Sequence, residues 1–420
     1  MNDLHRMRKT TMEFVRKATV YAVCLAFVLS GCAINSGSRS SQGIGPQLSS
    51  LFSAEKLPII DPNKPKLDIV VPVFDPGLPE DEDDENIWPE LRRAEALRFA
   101  YKLKLALDKT GAFGAVRITP DKTATGDLYL LGTIIESDGE DVEIDIEAFD
   151  ISGARWFGDS FDHSVDEKYH NNLRNKGIDP YDPVFEEVAQ FIVNELQYYG
   201  SEELTKIRRV TDMRFGAIFS PEAFAEYLNH EDNRYTLTGY PSNEDPMLVR
   251  TNAIRVRDQL FVDGLQDNYR AFSEQMDLSY FIWQEQSQLE LQAKREAQAE
   301  ATTEAIGGVL LIGLAVLAIA AGSNSNSVGA STAASTAGII AGVAGTSLLM
   351  EGWQTSKEAE VHVDALEELG ESIDSELAPR VIAYENETVE LTGTAREQFI
   401  QWRDFLKLIY EKESVPEAQL

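Results

Sequence analysis

The sequence predicts an α+β fold, in which a small α/β module with a mixed sheet is followed by a mainly helical region. Between residues 65 and 200, short apolar runs of period two alternate with stretches of helical period, in the order strand, helix, four strands, helix. Beyond residue 200 the apolar residues recur at three, four or seven positions, which is typical of helices that pack through one face. A glycine-rich apolar segment interrupts this helical region between residues 305 and 350.

Residues 1–31 have the pattern of a signal peptide. Basic residues precede an apolar run over residues 18–28 that is too short to span a bilayer. The run ends in LSGC, residues 29–32, which resembles the lipobox of bacterial lipoproteins. The resemblance implies cleavage before Cys32 and attachment to Cys32 of a diacylglycerol with acyl chains such as palmitate. It also implies, from Ala33, sorting to the outer membrane with the chain facing the periplasm.

The charge balance excludes one class of partner. The chain has 38 Lys and Arg residues against 70 Asp and Glu residues, a formal net charge of -32. Nucleic acid binding needs basic residues clustered on one face, and so acidic a chain does not favour it. The sequence also lacks a phosphate-cradling glycine loop. We therefore expect neither a nucleic-acid partner nor a cofactor.

The first part of the mature chain is a predicted tether followed by the start of the module. Residues 32–64 are rich in Ser, Gly and Pro, a composition that favours an extended spacer. The β-branched run 67–74 predicts a buried strand. The acidic run 80–85 lacks the Asp and Gly spacing of a calcium loop and is interpreted as a solvated loop. The apolar period over residues 88–110 then predicts an amphipathic helix, which Gly111 ends.

Further strands and a second helix complete the predicted module. Strands are expected over residues 116–118, 127–136, 141–150 and 154–163, and an amphipathic helix over residues 184–198. The third of these strands alternates apolar residues with acids, so one of its faces is expected to be buried. The predicted core residues are Phe74, Leu97, Leu105, Leu130, Ile144 and Ile146.

This order of elements, with the runs GAFGAV, DLYLLGTI and AFDISGARWF, resembles an α/β module of the bacterial envelope. The module is shared by the amino-terminal domain of TolB, the lipoprotein activators of peptidoglycan synthases and the CsgG-like lipoproteins. The resemblance covers residues 65–200. It implies a module that binds proteins or builds rings and that is not catalytic.

Residues 201–304 are expected to be helical, with one long helix that begins after Asp245 and Pro246. One face of this helix is predicted to lie in the core, namely Ile254, Phe261, Leu265, Tyr269, Phe272, Met276, Tyr280 and Trp283. The apolar face fades over residues 292–303, where a continued helix would carry the chain roughly 18 Å from the packed body.

Residues 305–350 are predicted to form an apolar helical hairpin. Two uncharged arms, 305–321 and 337–350, flank a polar, glycine-containing turn. The first arm is close to the lower length limit of a transmembrane helix. Small residues would let the arms approach each other or a second copy closely. The glycines expected to mediate membrane contact or self-association are Gly308, Gly313, Gly338, Gly342 and Gly345. A low-complexity loop is the alternative for this segment.

The last region, residues 351–420, is predicted to contain helices and a small hairpin. One helix is expected over residues 365–377, and strands over 381–384 and 388–391. The residues TARE at 394–397 have the form of a capping box. The closing helix that follows is expected to bury Phe399, Trp402, Leu406 and Ile409.

Two functional classes remain open. The first is a lipid-anchored envelope protein with a structural, assembly or scaffolding role, which contacts the membrane and an envelope protein partner and could form homo-oligomers. It is not an enzyme. The alternative is a metal-binding or hydrolytic periplasmic protein that uses His163 and His170 with the acidic residues around them. The spacing of these histidines matches no standard metal motif.

Overall fold

A computed structural model describes residues 61–79, 87–304, 357–372, 380–384 and 387–414. All of them belong to one unit of the chain, residues 57–420. Within these ranges the fold is α+β, as predicted: a five-stranded mixed sheet packs against helices, and a helical region follows it.

The central sheet has the strand order β2-β1-β3-β4-β5. Strand β1 runs parallel to β2 and β3, whereas β3, β4 and β5 are joined as antiparallel hairpins. The strands are β1 Ile69–Pro72, β2 Val116–Thr119, β3 Leu128–Ser137, β4 Asp141–Asp150 and β5 Arg155–Ser164. The strands expected from the sequence are therefore confirmed, with small shifts at their ends.

Helices and two small hairpins make up the rest of the described chain. The helices are α1 Pro89–Thr110, α2 Asp182–Leu196, α3 Ser201–Phe219, α4 Pro221–Phe224, α5 Pro246–Glu304, α6 Lys357–Ser372 and α7 Ala395–Ser414. The hairpins are formed by β6 Leu228–Glu231 with β7 Arg234–Leu237, and by β8 Arg380–Tyr384 with β9 Glu387–Leu391. Short 3-10 turns lie at Leu173–Asn175 and Ala225–Tyr227.

Helix α1 begins and ends where the sequence predicts. Pro89 occupies the first turn, and Gly111 ends the helix in the left-handed conformation at a φ of 64°. The prediction that Leu105 lies in the core is wrong, because its side chain is 38% exposed. The buried stripe passes through Leu103 and Leu107 instead, and α1 packs against the sheet and against α2, α5 and α6. The other five predicted core residues are buried.

One face of the sheet is covered by helices. The apolar side chains of β4 that alternate along this face are all buried, as predicted. Phe157 and Phe161 of β5 lie on the same face and contact the ring of Phe191 on α2, with ring centroids 4.9 and 5.4 Å apart. Helix α1 joins α2 through Phe99 and Phe185, whose ring centroids are 5.2 Å apart. The core of the α/β module therefore lies between this face and the two helices.

Helix α5 closes one edge of the sheet. Its Gln266 side chain pairs with the outer edge of β2: Oε1 accepts from the Ile118 N–H at 3.0 Å, and Nε2 donates to the Ile118 carbonyl at 2.8 Å. Farther along, Arg295 forms two hydrogen bonds with Glu140 at the turn between β3 and β4. The stripe predicted for this helix is buried, apart from Phe272, which is half-buried.

The C-terminal hairpin and closing helix agree closely with the sequence prediction. Strands β8 and β9 form the expected hairpin, and the capping box is present: Thr394 N–H donates to Glu397 Oε2 at 2.9 Å, and Glu397 N–H donates to Thr394 Oγ1 at 3.2 Å. The four residues expected to face the core from α7 are buried. Helix α6 starts earlier than predicted, at Lys357, and its described part ends at Ser372.

The apolar segment 305–350 lies outside the described residues. Among the helices that the structure describes, none combines the length and apolar character needed to cross a bilayer. The predicted transmembrane helix therefore stays a prediction about that segment.

Candidate functional site

The residues expected to bind lipid or to mediate self-association lie outside the described ranges. These are Cys32, Gly308, Gly313, Gly338, Gly342 and Gly345. Their roles stay predictions from the sequence.

The histidines of the alternative metal site occupy ordinary structural positions. His163 is opposite Val142 in the β4–β5 pairing and thus lies on the covered face of the sheet, whereas the neighbouring Asp162 is opposite Glu143 on the other face. Burial lowers the pKa of both His163 and His170, which favours their neutral forms. Within the described ranges, no group of three or more His, Cys, Asp or Glu side chains is arranged to hold a metal ion.

A large cavity lies on the second face of the sheet, and we call it the sheet groove. Its volume is about 870 Å³. The floor is formed by two cross-strand pairs, Tyr129 with Phe149 and Leu131 with Glu147. The walls come from α3, from the β6–β7 hairpin, and from the loops that precede β3 and follow β4. A ligand in this groove would therefore meet an aromatic and aliphatic floor with charged groups around it.

The β6–β7 hairpin forms one wall of the groove and is held by the turn after β4. Tyr235 N–H donates to the Ser152 carbonyl at 2.8 Å. Gly153 has a φ of +85°, and a Cβ atom placed there would lie 2.5 Å from the Asn233 carbonyl oxygen. The hairpin can approach the sheet this closely only because residue 153 lacks a side chain. This hairpin was not expected from the sequence, although Asp232 and Asn233, both with positive φ, form its two-residue turn.

Two side chains of the groove are fixed by hydrogen bonds. Arg214 of α3 donates to the Ile151 carbonyl, and its guanidinium lies 4.1 Å from the centroid of the Tyr235 ring. The Tyr129 hydroxyl donates to the Ala124 carbonyl at 2.9 Å. Burial raises the pKa of Tyr129, so this hydroxyl keeps its proton at neutral pH. These contacts give the groove a preformed shape.

Beyond the groove, the same face of the sheet is acidic. Four carboxylates point outward from β4 and β5, and we call them the acidic face: Glu143, Asp145, Glu147 and Asp162. Arg155 of β5 pairs with Glu147 at 2.9 Å, and both side chains are about half exposed. The groove and the acidic face are continuous because Glu147 belongs to both.

A buried ionic network on the covered side of the sheet was also missed by the sequence reading. The fully buried Arg98 of α1 pairs with Asp179 at 2.8 Å and with Asp277 of α5 at 2.5 Å. Lys102 adds a second cation at 3.0 Å from Asp179. Burial alone would raise the pKa of Asp179, but the two cations lower it to about 2. The network therefore joins α1 to α5 and to the segment before α2.

Comparison with known proteins gives no relative. No family model, no curated protein and no solved structure matches this chain. The resemblance of residues 65–200 to envelope modules therefore rests on their sequence pattern.

Proposed function

We propose that this protein is a lipid-anchored component of the bacterial envelope that acts in assembly or scaffolding and binds a partner protein through the sheet groove. The observation that carries the proposal is the groove itself, a cavity of about 870 Å³ with a floor of Tyr129, Leu131 and Phe149. Binding sites of this size are lined mainly by apolar and aromatic side chains, with a few polar groups that orient the ligand.

The charge of the surface next to the groove supports a basic partner. The acidic face lies next to the groove and carries four outward carboxylates, of which Glu147 has a cationic neighbour in Arg155. A complementary partner segment carries lysine or arginine beside an apolar anchor residue. The anchor residue would enter the groove between Leu131 and Ile218, and the basic residues would lie over Asp145 and Glu147.

A binding experiment with defined peptides tests this proposal. Fluorescence anisotropy would be measured for decapeptides that contain lysines around one phenylalanine, and for matched peptides with glutamate in place of lysine. We expect the detergent-purified full-length protein to bind the basic peptides only. Ile218, 43% exposed in the groove, and Ile400, 52% exposed on α7, provide matched positions. The Ile218→Ser substitution should weaken binding, and Ile400→Ser should not.

A separate variant tests whether the acidic face is needed to bind the basic peptides. Replacing Asp145 and Glu147 by lysine should abolish binding of the basic peptides, since both carboxylates are exposed and their reversal leaves the core intact. Equal binding of the lysine and glutamate peptides, or no effect of the Ile218 and charge variants, would refute the groove as the partner site.

The apolar segment 305–350 is proposed to form a second contact, with the membrane or with another copy of the chain. This part of the proposal is supported by the sequence of the segment alone. Replacement of both Gly338 and Gly342 by leucine would separate small-residue packing from simple apolarity. We expect this variant to lose crosslinked oligomers but keep its membrane association. Oligomers that persist unchanged in the variant would contradict the role of the glycines.

A further inference from the structure

A second cavity lies beside the sheet groove, between α3, the start of α5 and the loop that precedes β3. Its volume is about 380 Å³, and polar side chains dominate its lining. Three arginines line it, Arg208 and Arg209 of α3 and Arg255 of α5. We call it the arginine pocket. Three neighbouring guanidinium groups are unusual in a chain with a formal net charge of -32.

The carboxylates of the arginine pocket are already bound by other groups. Asp212 pairs with Arg255 at 2.5 Å and accepts a hydrogen bond from the Tyr240 hydroxyl at 2.7 Å. Asp127 accepts from the Asp68 N–H at 2.9 Å and from the Thr211 hydroxyl at 2.5 Å. Protein donors hold these oxygens, although the charge of Asp127 still attracts Arg208 through space.

Asp68, the third carboxylate, is likewise shared among several donors. It accepts from the Ala115 N–H at 2.9 Å and from the Gln259 amide at 3.3 Å, and it lies 3.5 Å from Arg117. None of these groups is Arg208 or Arg209. The hydrogen bonds of the pocket carboxylates are therefore made without these two arginines.

Arg208 and Arg209 are the cations of the pocket that stay available. In the part of the chain that the structure describes, neither lies within 4.0 Å of a carboxylate oxygen. Arg209 lies over the Tyr240 ring, with its guanidinium 4.9 Å from the ring centroid. Such stacking holds the flat guanidinium group against the ring. The N–H groups at the edge of the guanidinium can still donate to a ligand. Both side chains are exposed to solvent.

We propose that the arginine pocket binds a small anionic ligand, whose phosphate or carboxylate group is held by Arg208 and Arg209. The guanidinium group matches the spacing of two oxygens in either anion and forms two parallel charge-assisted hydrogen bonds with it. The hydroxyl of Thr125 also lines the pocket; it accepts from Arg403 at 2.9 Å and can donate its own proton to the ligand. A volume of about 380 Å³ suits a small molecule rather than a polymer.

This site is distinct from the protein-binding groove, although the two cavities share Thr125 at their border. The groove borders the acidic face and is proposed to take a basic partner, whereas Arg208 and Arg209 of the pocket form no ion pair in the described chain and favour an anion. Loss of anion binding and loss of peptide binding can therefore be produced by different variants.

Isothermal titration calorimetry on the detergent-purified full-length protein tests the proposal. Inorganic phosphate and citrate would be titrated separately at low salt, so that the two chemical sources of the anion are distinguished. We expect saturable binding of at least one of them at millimolar concentration or below. The double variant Arg208→Gln with Arg209→Gln should weaken it by about tenfold or more, because charge-assisted hydrogen bonds are lost.

A matched control is available on the same helix. Lys206 is an exposed cation of α3 that does not line the pocket. The Lys206→Gln variant removes a positive charge and should leave the affinity almost unchanged. Circular dichroism would verify that each variant is folded. Equal weakening by Lys206→Gln and by the double variant would show diffuse attraction only, and absence of saturable binding of both anions would also overturn the proposal.

Discussion

The buried ion pair of Arg98 and Asp179 should contribute measurably to the free energy of unfolding. Arg98 is fully buried and Asp179 is 2% exposed, so neither charge is screened by solvent. The Asp179→Asn substitution keeps the shape of the side chain and its acceptor oxygen but removes the negative charge. Arg98 then stays buried with Asp277 as its remaining partner. We expect this change to destabilise the fold substantially.

The size of the effect follows from the pKa of Asp179. Burial opposes ionisation, but Arg98 and Lys102 outweigh it and lower the pKa from 3.8 to about 2. Since each pKa unit corresponds to about 1.4 kcal/mol, the charged carboxylate contributes about 2 to 3 kcal/mol at neutral pH. Leaving a buried cation less compensated adds to the loss. We therefore expect Asp179→Asn to lower the free energy of unfolding by about 2 to 4 kcal/mol.

The pH dependence distinguishes this charge effect from a simple packing defect. Because the folded pKa lies below the unfolded one, the contribution is present above about pH 4 and is lost as the pH falls towards 2. Urea unfolding followed by circular dichroism would be compared at about pH 7 and about pH 3. The wild type and the variant should differ less at the lower pH. A difference that stays constant with pH would refute the reasoning.

Asp267→Asn is the appropriate control for this experiment. Asp267 belongs to the same helix as Asp277 and pairs with Arg270 at 2.8 Å, but its side chain is 76% exposed. Exposed ion pairs contribute little to stability. This control variant should unfold at nearly the same urea concentration as the wild type.

Three further predictions concern packing, the groove and the anchor. Leu103→Ala should lower the free energy of unfolding by about 2 to 5 kcal/mol, measured by urea denaturation. Leu105→Ala should lower it much less because Leu105 is 38% exposed, and equal losses would contradict the buried stripe assigned to α1. Gly153→Ala should detach the β6–β7 hairpin from the sheet, since the new Cβ would clash with the hairpin backbone. The hairpin should then be cleaved in limited proteolysis, and an unchanged cleavage pattern would show that it tolerates the side chain. Cys32→Ser should abolish incorporation of labelled palmitate, and a wild-type chain that takes up no label would exclude the lipobox.

Local patterns were sufficient to predict most of the fold. The alternation along β4 identified its buried face because side chains of a strand point to opposite sides in turn. The capping box at Thr394 and the glycine after α1 identified helix ends because their hydrogen bonds involve residues only a few positions apart. These features depend on neighbours in the sequence and are therefore visible in it.

The missed features depend on residues that are distant in the sequence. Arg98 and Asp179 look like ordinary polar residues until the fold brings them together across 81 positions. The arginine pocket likewise combines α3 with α5 and the loop before β3. The prediction for Leu105 was wrong for a related reason. The periodicity shows that α1 has an apolar face, but the packing of α2, α5 and α6 decides where the border of that face lies.

The amide of Gln266 has a consequence for how another chain can approach this protein. An open strand edge is a template on which a further strand can be added, either from a partner or from a second copy. At the β2 edge, an added strand would pair with the backbone N–H and carbonyl of Ile118. Both groups are already bound by the side chain of Gln266. Strand addition there would first require α5 to release Ile118. Recognition by β-augmentation is thus disfavoured at the β2 edge of the sheet.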